Sequence, residues 1–451
     1  MATYLSRTFT ADNTSRSIFT VSAWIKRSVL SSAQTVISAS TTSNFNDKII
    51  GFRSDNTLEV NNVASGSAAI EVITNRVFRD PGAWYHIVVA IDTTQSAIAD
   101  GVKLYVNGVR DTDFSGSPTY TQSATFEIGR NGSATAIGRY ESGSSQYFGG
   151  YIADVHYIDG QQKLPTDFGE TDSTTGEWKP KSYAGTYGNN GFLLEFKNAG
   201  ALGTDTSGNS ETFTVNGAGT GAQVTDTPSN LFCTMSPIDK GSNAGTLTLG
   251  NLKMTNGTSG SADNQKFRGT MAVTKGKWYF EMKKLANTAS IGLLATEEKI
   301  NQTSASGMLV EYLHQGELRF WNGSSRVTKT TGVNSYTTND IVGCALDMDN
   351  RRAYFHKNGV YQGDPTPDPA SSPSGAGQMA AIQTGFTMSP CFMDDTTASA
   401  GEAAMNFGNP PFTISSNSGN GNADANGYGK FEYAVPSGYY ALCTKNLAQY
   451  G

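Results

Sequence analysis

The sequence predicts an all-β protein, built as two antiparallel jelly-roll-like sandwiches in tandem. Three observations predict the sandwiches. Apolar residues recur with period two in short runs, and no long window carries them at i, i+3, i+4 and i+7. Gly, Ser, Thr and Asn crowd the intervals between these runs, as frequent turns require. The 451 residues exceed what one core holds but suit two domains and a connector. Charged residues are only 16% of the chain and aromatics 10%, so rings rather than ion pairs are available to fill two interiors.

Taken in order, the first clear strand is Phe19 to Lys26, where Phe19, Val21, Ala23 and Ile25 share one face. From Trp84 to Asp92, Tyr85, Ile87, Val89 and Ile91 share a face and Trp84, His86, Val88 and Ala90 the other. Both faces are largely apolar, which predicts a central strand covered on two sides. Val102 to Val106 alternates more cleanly and reads as half exposed. Asn-Gly pairs, favoured in type I′ hairpins, follow strand-like residues at 107–108, 216–217, 322–323 and 358–359. The first and last are the cleanest.

Strand signals fade after Ile158-Asp159-Gly160 and resume strongly at Lys277-Trp278-Tyr279-Phe280-Glu281-Met282. These shifts place a first domain at 1–165, a connector with some strand structure at 166–235, and a second domain at 236–412. The remainder, 413–451, ends on the apolar Gly438-Tyr439-Tyr440-Ala441-Leu442, which predicts a docked tail. The segment 362–378 is too Pro-rich for a strand and reads as an extended surface loop.

The bulk numbers exclude several partners. A net charge of −6 without clustered Lys and Arg argues against nucleic acid. No apolar stretch reaches membrane-spanning length. The residues after Met1 lack an apolar h-region, so the expectation is a chain without a signal peptide, made and kept in a cytoplasm or leaving it by a route that needs no signal. Cys233, Cys344, Cys391 and Cys443 are widely spaced and read as four free thiols.

Three motifs in order carry a resemblance in the first domain: Trp84 through Asp92, Lys103-Leu104-Tyr105-Val106-Asn107-Gly108, and Gly149-Gly150-Tyr151-Ile152-Ala153-Asp154-Val155. Together they resemble the laminin-G-like branch of the concanavalin A-like lectins and glucanases. Four motifs in the second domain resemble those of SPRY domains: Gly276 to Glu281, Ile341 to Asp347, Tyr354 to Gly359, and Met405-Asn406-Phe407-Gly408 with Pro411-Phe412. The opening Tyr4-Leu5-Ser6-Arg7, Ser22 to Arg27, the connector pieces Asp205 to Asn209 and Asp226 to Asn230, and Pro436 to Leu442 are similar to virion proteins of tailed bacteriophages. That resemblance implies a virion surface protein, a tail fibre or receptor-binding component recognising a host-surface glycan or protein. It also implies other virion proteins as partners, no membrane insertion, and a homo-oligomer by analogy with fibres. The alternative is a purely structural capsid-decoration or tail-scaffold protein. A third reading, a polysaccharide depolymerase, is disfavoured.

The glucanase branch supplies its carboxylates from one strand as E-x-D-x-E or E-x-D-x-x-E, and no such spacing occurs here. Asp347-Met348-Asp349 falls at a predicted turn and reads as a solvated hairpin end. No G-x-S-x-G, H-E-x-x-H or Walker loop is present, and the four histidines read as isolated strand residues. The expectation is a protein that is not an enzyme. Laminin-G-like domains sometimes bind calcium, and Asp92, Asp100 and Asp111 near strand ends are the candidate ligands, although turns attract Asp in any case. For ligand binding the candidates are Tyr312, His314, Arg319 and Trp321, an aromatic, Arg and His group suited to a sugar ring or a loop peptide. Trp321 has an alternative role, packing under the turn at Asn322.

Overall fold

Strand Ile18–Arg27 shows how alternation builds the first sandwich. Phe19, Val21, Ala23 and Ile25 enter the main core, while Trp24 faces the opposite side and stacks on His86 at 4.6 Å. In the computed structural model, described over residues 3–217, 222–257, 265–301, 307–363, 368–371, 380–394 and 400–451, the chain forms two compact units. The first is Met1–Gln223 with Thr227–Ser229; the second is Val224–Asp226 with Asn230–Gly451.

Two antiparallel sheets enclose the core of the first unit. The larger runs, edge to edge, Thr119–Tyr120, Ser67–Val77, Thr57–Ala64, Phe45–Phe52, Gln34–Thr42, Ala134–Ile137, Tyr4–Thr8 and Thr214–Asn216. The smaller runs Phe192–Leu194, Gly150–Asp159, Ile18–Arg27, Tyr85–Asp92, Val102–Val106 and Val109–Asp111. Strand Tyr85–Asp92 is central, and both its faces are covered. Ile87, Val89 and Ile91 join the main core, while Val88 joins a second cluster with Tyr105, Ile158, Phe168 and Tyr187.

That second cluster assigns a structural role to much of the stretch read as a connector. Residues 166–190 lie over the outer face of the smaller sheet through Phe168, Tyr183 and Tyr187. Phe192–Leu194 pairs with Val155 to Tyr157, and Thr214–Asn216 pairs with Tyr4 to Ser6. The first unit therefore runs well past residue 165.

Among the described residues the second unit has a seven-stranded antiparallel sheet and a nine-stranded sheet, antiparallel but for one short strand, around one core, with Trp278, Tyr279 and Phe280 fully buried. Its last residues are part of the sheet. Tyr440–Ala441 pairs in parallel with Trp278 and Tyr279, and a short helix, Thr444–Tyr450, brings Tyr450 to stack on Tyr440 at 3.9 Å. Glu281 secures the segment just before it. Its buried carboxylate accepts hydrogen bonds from the backbone N–H of Glu432 (3.0 Å) and Tyr433 (2.8 Å), from Tyr279 OH (3.0 Å), and from Asn406 Nδ2 (3.1 Å).

Turn chemistry follows the sequence at the two cleanest positions. Asn107-Gly108 and Asn358-Gly359 both have positive φ at each residue, 48° and 81°, then 49° and 82°, as a type I′ turn requires. Asn322 instead closes a longer turn, its Oδ1 accepting from the N–H of Ser324 and Ser325. Asp347 departs from the solvated reading. It is fully buried, ion-paired to Lys277 at 3.0 Å, and accepts two bonds from Asn350. The four cysteines are free and buried. Most of the Pro-rich segment 362–378 lies outside the described residues. Among those described, no helix is long and apolar enough to cross a membrane.

Candidate functional site

Of the four residues read as a ligand group, three fall on two faces of one sheet and the fourth lies in a turn. Tyr312 pairs with Leu318 and points into the core, fully buried, with its hydroxyl donating to Asn334 O. Arg319 pairs with Glu311 and so faces the other side, where both its Nε and Nη2 hold Glu317. Trp321 shares that parity and is half-buried beside Arg326, and His314 lies in the turn after Leu313. Strand alternation separates the tyrosine from the arginine.

The acidic trio is likewise dispersed. Asp92 accepts from Thr94 and Gln95, and Asp111 is buried against Arg76 at 2.9 Å. Asp100 belongs to the short helix Ile98–Gly101, where its carbonyl accepts from Gln162. Among the described residues no group of three or more His, Cys, Asp or Glu is placed to hold a metal ion.

Two constellations look catalytic on paper. Ser22 Oγ lies 2.8 Å from His86 Nε2, the spacing of a nucleophile and its base. The third member decides the chemistry. Trp178 Nε1, a donor only, gives its hydrogen to His86 Nδ1 at 3.0 Å, so Nε2 carries the ring proton and donates to Ser22. A ring in that tautomer cannot take the serine's proton, and Ser22 and His86 are both fully buried. The second chain runs from Gly359 N–H to His356 Nδ1, from His356 Nε2 to Tyr279 OH, and from there to Glu281. All three side chains are buried and serve to lock strands together. Burial lowers His86, His156 and His356 to about 3, so all three are neutral rings at ordinary pH.

The site that emerges lies at one end of the first sandwich. There, segments 12–16 and 130–131 border an open cleft of about 570 Å³ lined by Asp12, Asn13, Thr14, Ser15, Arg16, Arg130 and Asn131. Its walls are loops, yet each is fixed by a buried polar side chain beneath. Asp159, 1% exposed, accepts from the N–H of Thr14 (2.6 Å), Ser15 (3.1 Å) and Asn190 (3.1 Å). Asn190 Nδ2 then donates to Ala11 O and Gly129 O, 2.7 Å each, joining the two walls.

A second buried carboxylate holds the other wall. Asp47 accepts from the N–H of Glu127 (2.6 Å) and Ile128 (2.8 Å) and from Asn62 Nδ2 (2.8 Å). Burial pushes its pKa up to about 7, against these three donors, which favour the anion. Tyr157 OH adds a bond to Ile128 O at 3.1 Å. Gly129 has a φ of 69°, and a Cβ there would meet the Tyr157 ring at 2.7 Å, so the tight approach of this wall requires glycine. Glu127, 1% exposed, grips Arg16 through Oε1 at 2.6 Å and Arg130 through Oε2 at 2.7 Å.

Loops that display side chains over a rigid buried support are what a recognition site needs. Sequence reasoning passed over this one because its parts come from six separated segments, and Asp and Asn near turns carry no distinguishing mark. The only hint was Asp159, standing at the point where the strand pattern fades.

The fold and the cleft together define a two-sandwich protein with a preorganised, open, polar site. Residues 3–162 match the concanavalin A-like lectin/glucanases superfamily, in its laminin-G-like form. No curated protein matches the chain. Among solved structures, the SPRY domain of human HERC1 is 19% identical, with 38% of this chain and 96% of that one covered at a TM-score of 0.29. A heptameric SAP-like pentraxin from Limulus polyphemus is 18% identical, with coverages of 36% and 72% and a TM-score of 0.27. The TRIM65 PSpry domain is 11% identical, with coverages of 39% and 91% and a TM-score of 0.27.

Proposed function

We propose that the chain is a non-catalytic recognition protein on the surface of a tailed-bacteriophage virion, and that the cleft of its first unit binds a host-surface glycan. The observation that carries the binding reading is the support under the cleft: Asp47, Glu127, Asp159 and Asn190 are all buried and all aimed at its two walls. Four buried polar groups are costly to hold in place unless they are satisfied, and here their bonds fix the loops that display the lining. The lining is hydroxyl, amide, carboxylate and guanidinium, a set matched to sugar hydroxyls. The phage context rests on the resemblance of the opening, connector and closing segments to virion proteins. The remaining partners on this reading are other virion subunits, including further copies of the chain. It needs no metal, because Asp92 and Asp111 already meet protein donors.

The test is binding of the purified protein to a glycan array and to candidate host cells, for the native chain and for Asn190→Ala. Removing the amide frees both walls, so binding is expected to fall about tenfold, equivalent to one lost pair of buried hydrogen bonds. An array on which nothing binds, with cells left bare, rejects the reading in favour of a structural role.

A further inference from the structure

The two arginines of the cleft are only half used by the protein. Arg16 donates Nε to Phe126 O at 3.0 Å and Nη2 to Glu127 Oε1 at 2.6 Å. Arg130 donates Nη1 to Glu127 Oε2 at 2.7 Å and, at 3.5 Å, to Thr41 Oγ1. A guanidinium has five N–H donors in a planar fork. Arg16 therefore keeps Nη1, and Arg130 keeps Nε and Nη2, without a protein acceptor among the described residues. Both side chains reach solvent, 32% and 38% exposed, whereas the carboxylate between them is 1% exposed. Two guanidinia thus share one buried carboxylate and keep N–H donors in the cleft that both residues line, with the Asp12 carboxylate balancing the second positive charge.

Geometry sharpens that into a ligand class. The two guanidinia sit one on each oxygen of the Glu127 carboxylate, so their separation suits the bite of a carboxylate. A second carboxylate entering from solvent would meet their unused edges. The exposed carboxylate of Asp12 leaves little room for a highly charged anion, and with Asn13, Thr14 and Asn131 it offers partners for hydroxyls.

We propose that this cleft takes an acidic saccharide of the uronic-acid class, its carboxylate held between Arg16 and Arg130 and its ring hydroxyls facing Asn13, Thr14 and Asn131. The assignment rests on the glycan-binding reading given above and narrows it to one sugar chemistry.

The experiment is calorimetric titration of the full chain with tetragalacturonate, with its fully methyl-esterified form, and with inorganic phosphate. The ester keeps the rings and removes the charge. Tetragalacturonate is expected to bind and to weaken as salt is added, while the ester binds about tenfold more weakly or not at all. Arg130→Gln is expected to lose the same factor and to become indifferent to esterification. That residue is well exposed, so an unchanged melting temperature checks its fold, and Arg16→Gln provides a second variant. Equal binding of acid and ester overturns the assignment and leaves a neutral-glycan reading standing. Phosphate binding as well as the uronate overturns it in favour of a bare anion site. Native-like uronate binding by both variants overturns it as well. If tetragalacturonate fails while neutral glycans bind on the array, the acidic class falls alone; if no glycan binds, the broader reading falls with it.

Discussion

Single side chains in this protein act through the donors they collect. Glu281 gathers four, two of them backbone N–H groups from residues 432 and 433, and so holds the final segment to the strand Lys277–Ala286. Glu281→Gln replaces one acceptor oxygen by an NH2 group that faces donors. The expected cost is about 1–3 kcal/mol, read as a lower melting transition for the second unit with the first unit unmoved. An unchanged transition would show that the four bonds add little. None of this is visible in the sequence, where Glu281 reads only as the polar member of an alternating run. His86 is similar: its tautomer is set by Trp178, a residue 92 positions away that belongs to the stretch read as a connector.

At the level of strands, long runs are legible by their period and short ones are not. Ile18–Arg27, Tyr85–Asp92 and Lys277–Ala286 each span eight residues or more, enough for period two to show. Trp178–Pro180, Phe192–Leu194 and Thr214–Asn216 are three residues each, too short for any period to register; the apolar run Gly191 to Phe196 marks the second in the sequence and the Asn216-Gly217 pair the third, while the first carries no mark. Trp178–Pro180 forms a local hairpin with Gly169–Thr171, whereas the other two are strands because their partners, Val155 to Tyr157 and Tyr4 to Ser6, lie far back in the chain. The cover over the smaller sheet follows the same logic, since Phe168, Tyr183 and Tyr187 sit among polar residues and only their shared destination makes them a cluster. A fragment ending at residue 165 should therefore expose Val88, Tyr105 and Ile158, and leave Tyr4–Thr8 without one of its two partners. It is expected to aggregate, whereas a fragment of residues 1–229 is expected to give a cooperative melt. Soluble, cooperative folding of the shorter fragment would count against the assignment of 166–223 to the first unit.

Across the whole molecule, two sets of buried groups pull stability in opposite directions with pH. His86, His156 and His356 are lowered to about 3 by burial, against about 6.5 in an unfolded chain. The unfolded state takes up their protons first, so stability drops as pH falls from about 6.5 toward 3. Burial raises Asp47 and Glu281 to about 7 and Asp154 to about 6, against about 4 when unfolded. The folded state keeps those protons, so their contribution is full below about 4 and lost as pH rises toward 7. Between about 4 and 6 the three histidines and three carboxyls nearly cancel. Denaturant titrations should show a plateau there, with losses on both the acid and the neutral side. A steady rise from pH 4 to pH 7 would mean that the buried carboxyls are ionised throughout.

Strand Tyr4–Thr8 sits between Ala134–Ile137 and Thr214–Asn216. A ribosome releases it before either neighbour, and these arrive only with Ile137 and then Val215. Through that interval the nascent sheet keeps an open edge that could pair with another chain. The yield of usable protein in a cell is then governed by translation speed and by whatever shields that edge, more than by the stability of the finished fold.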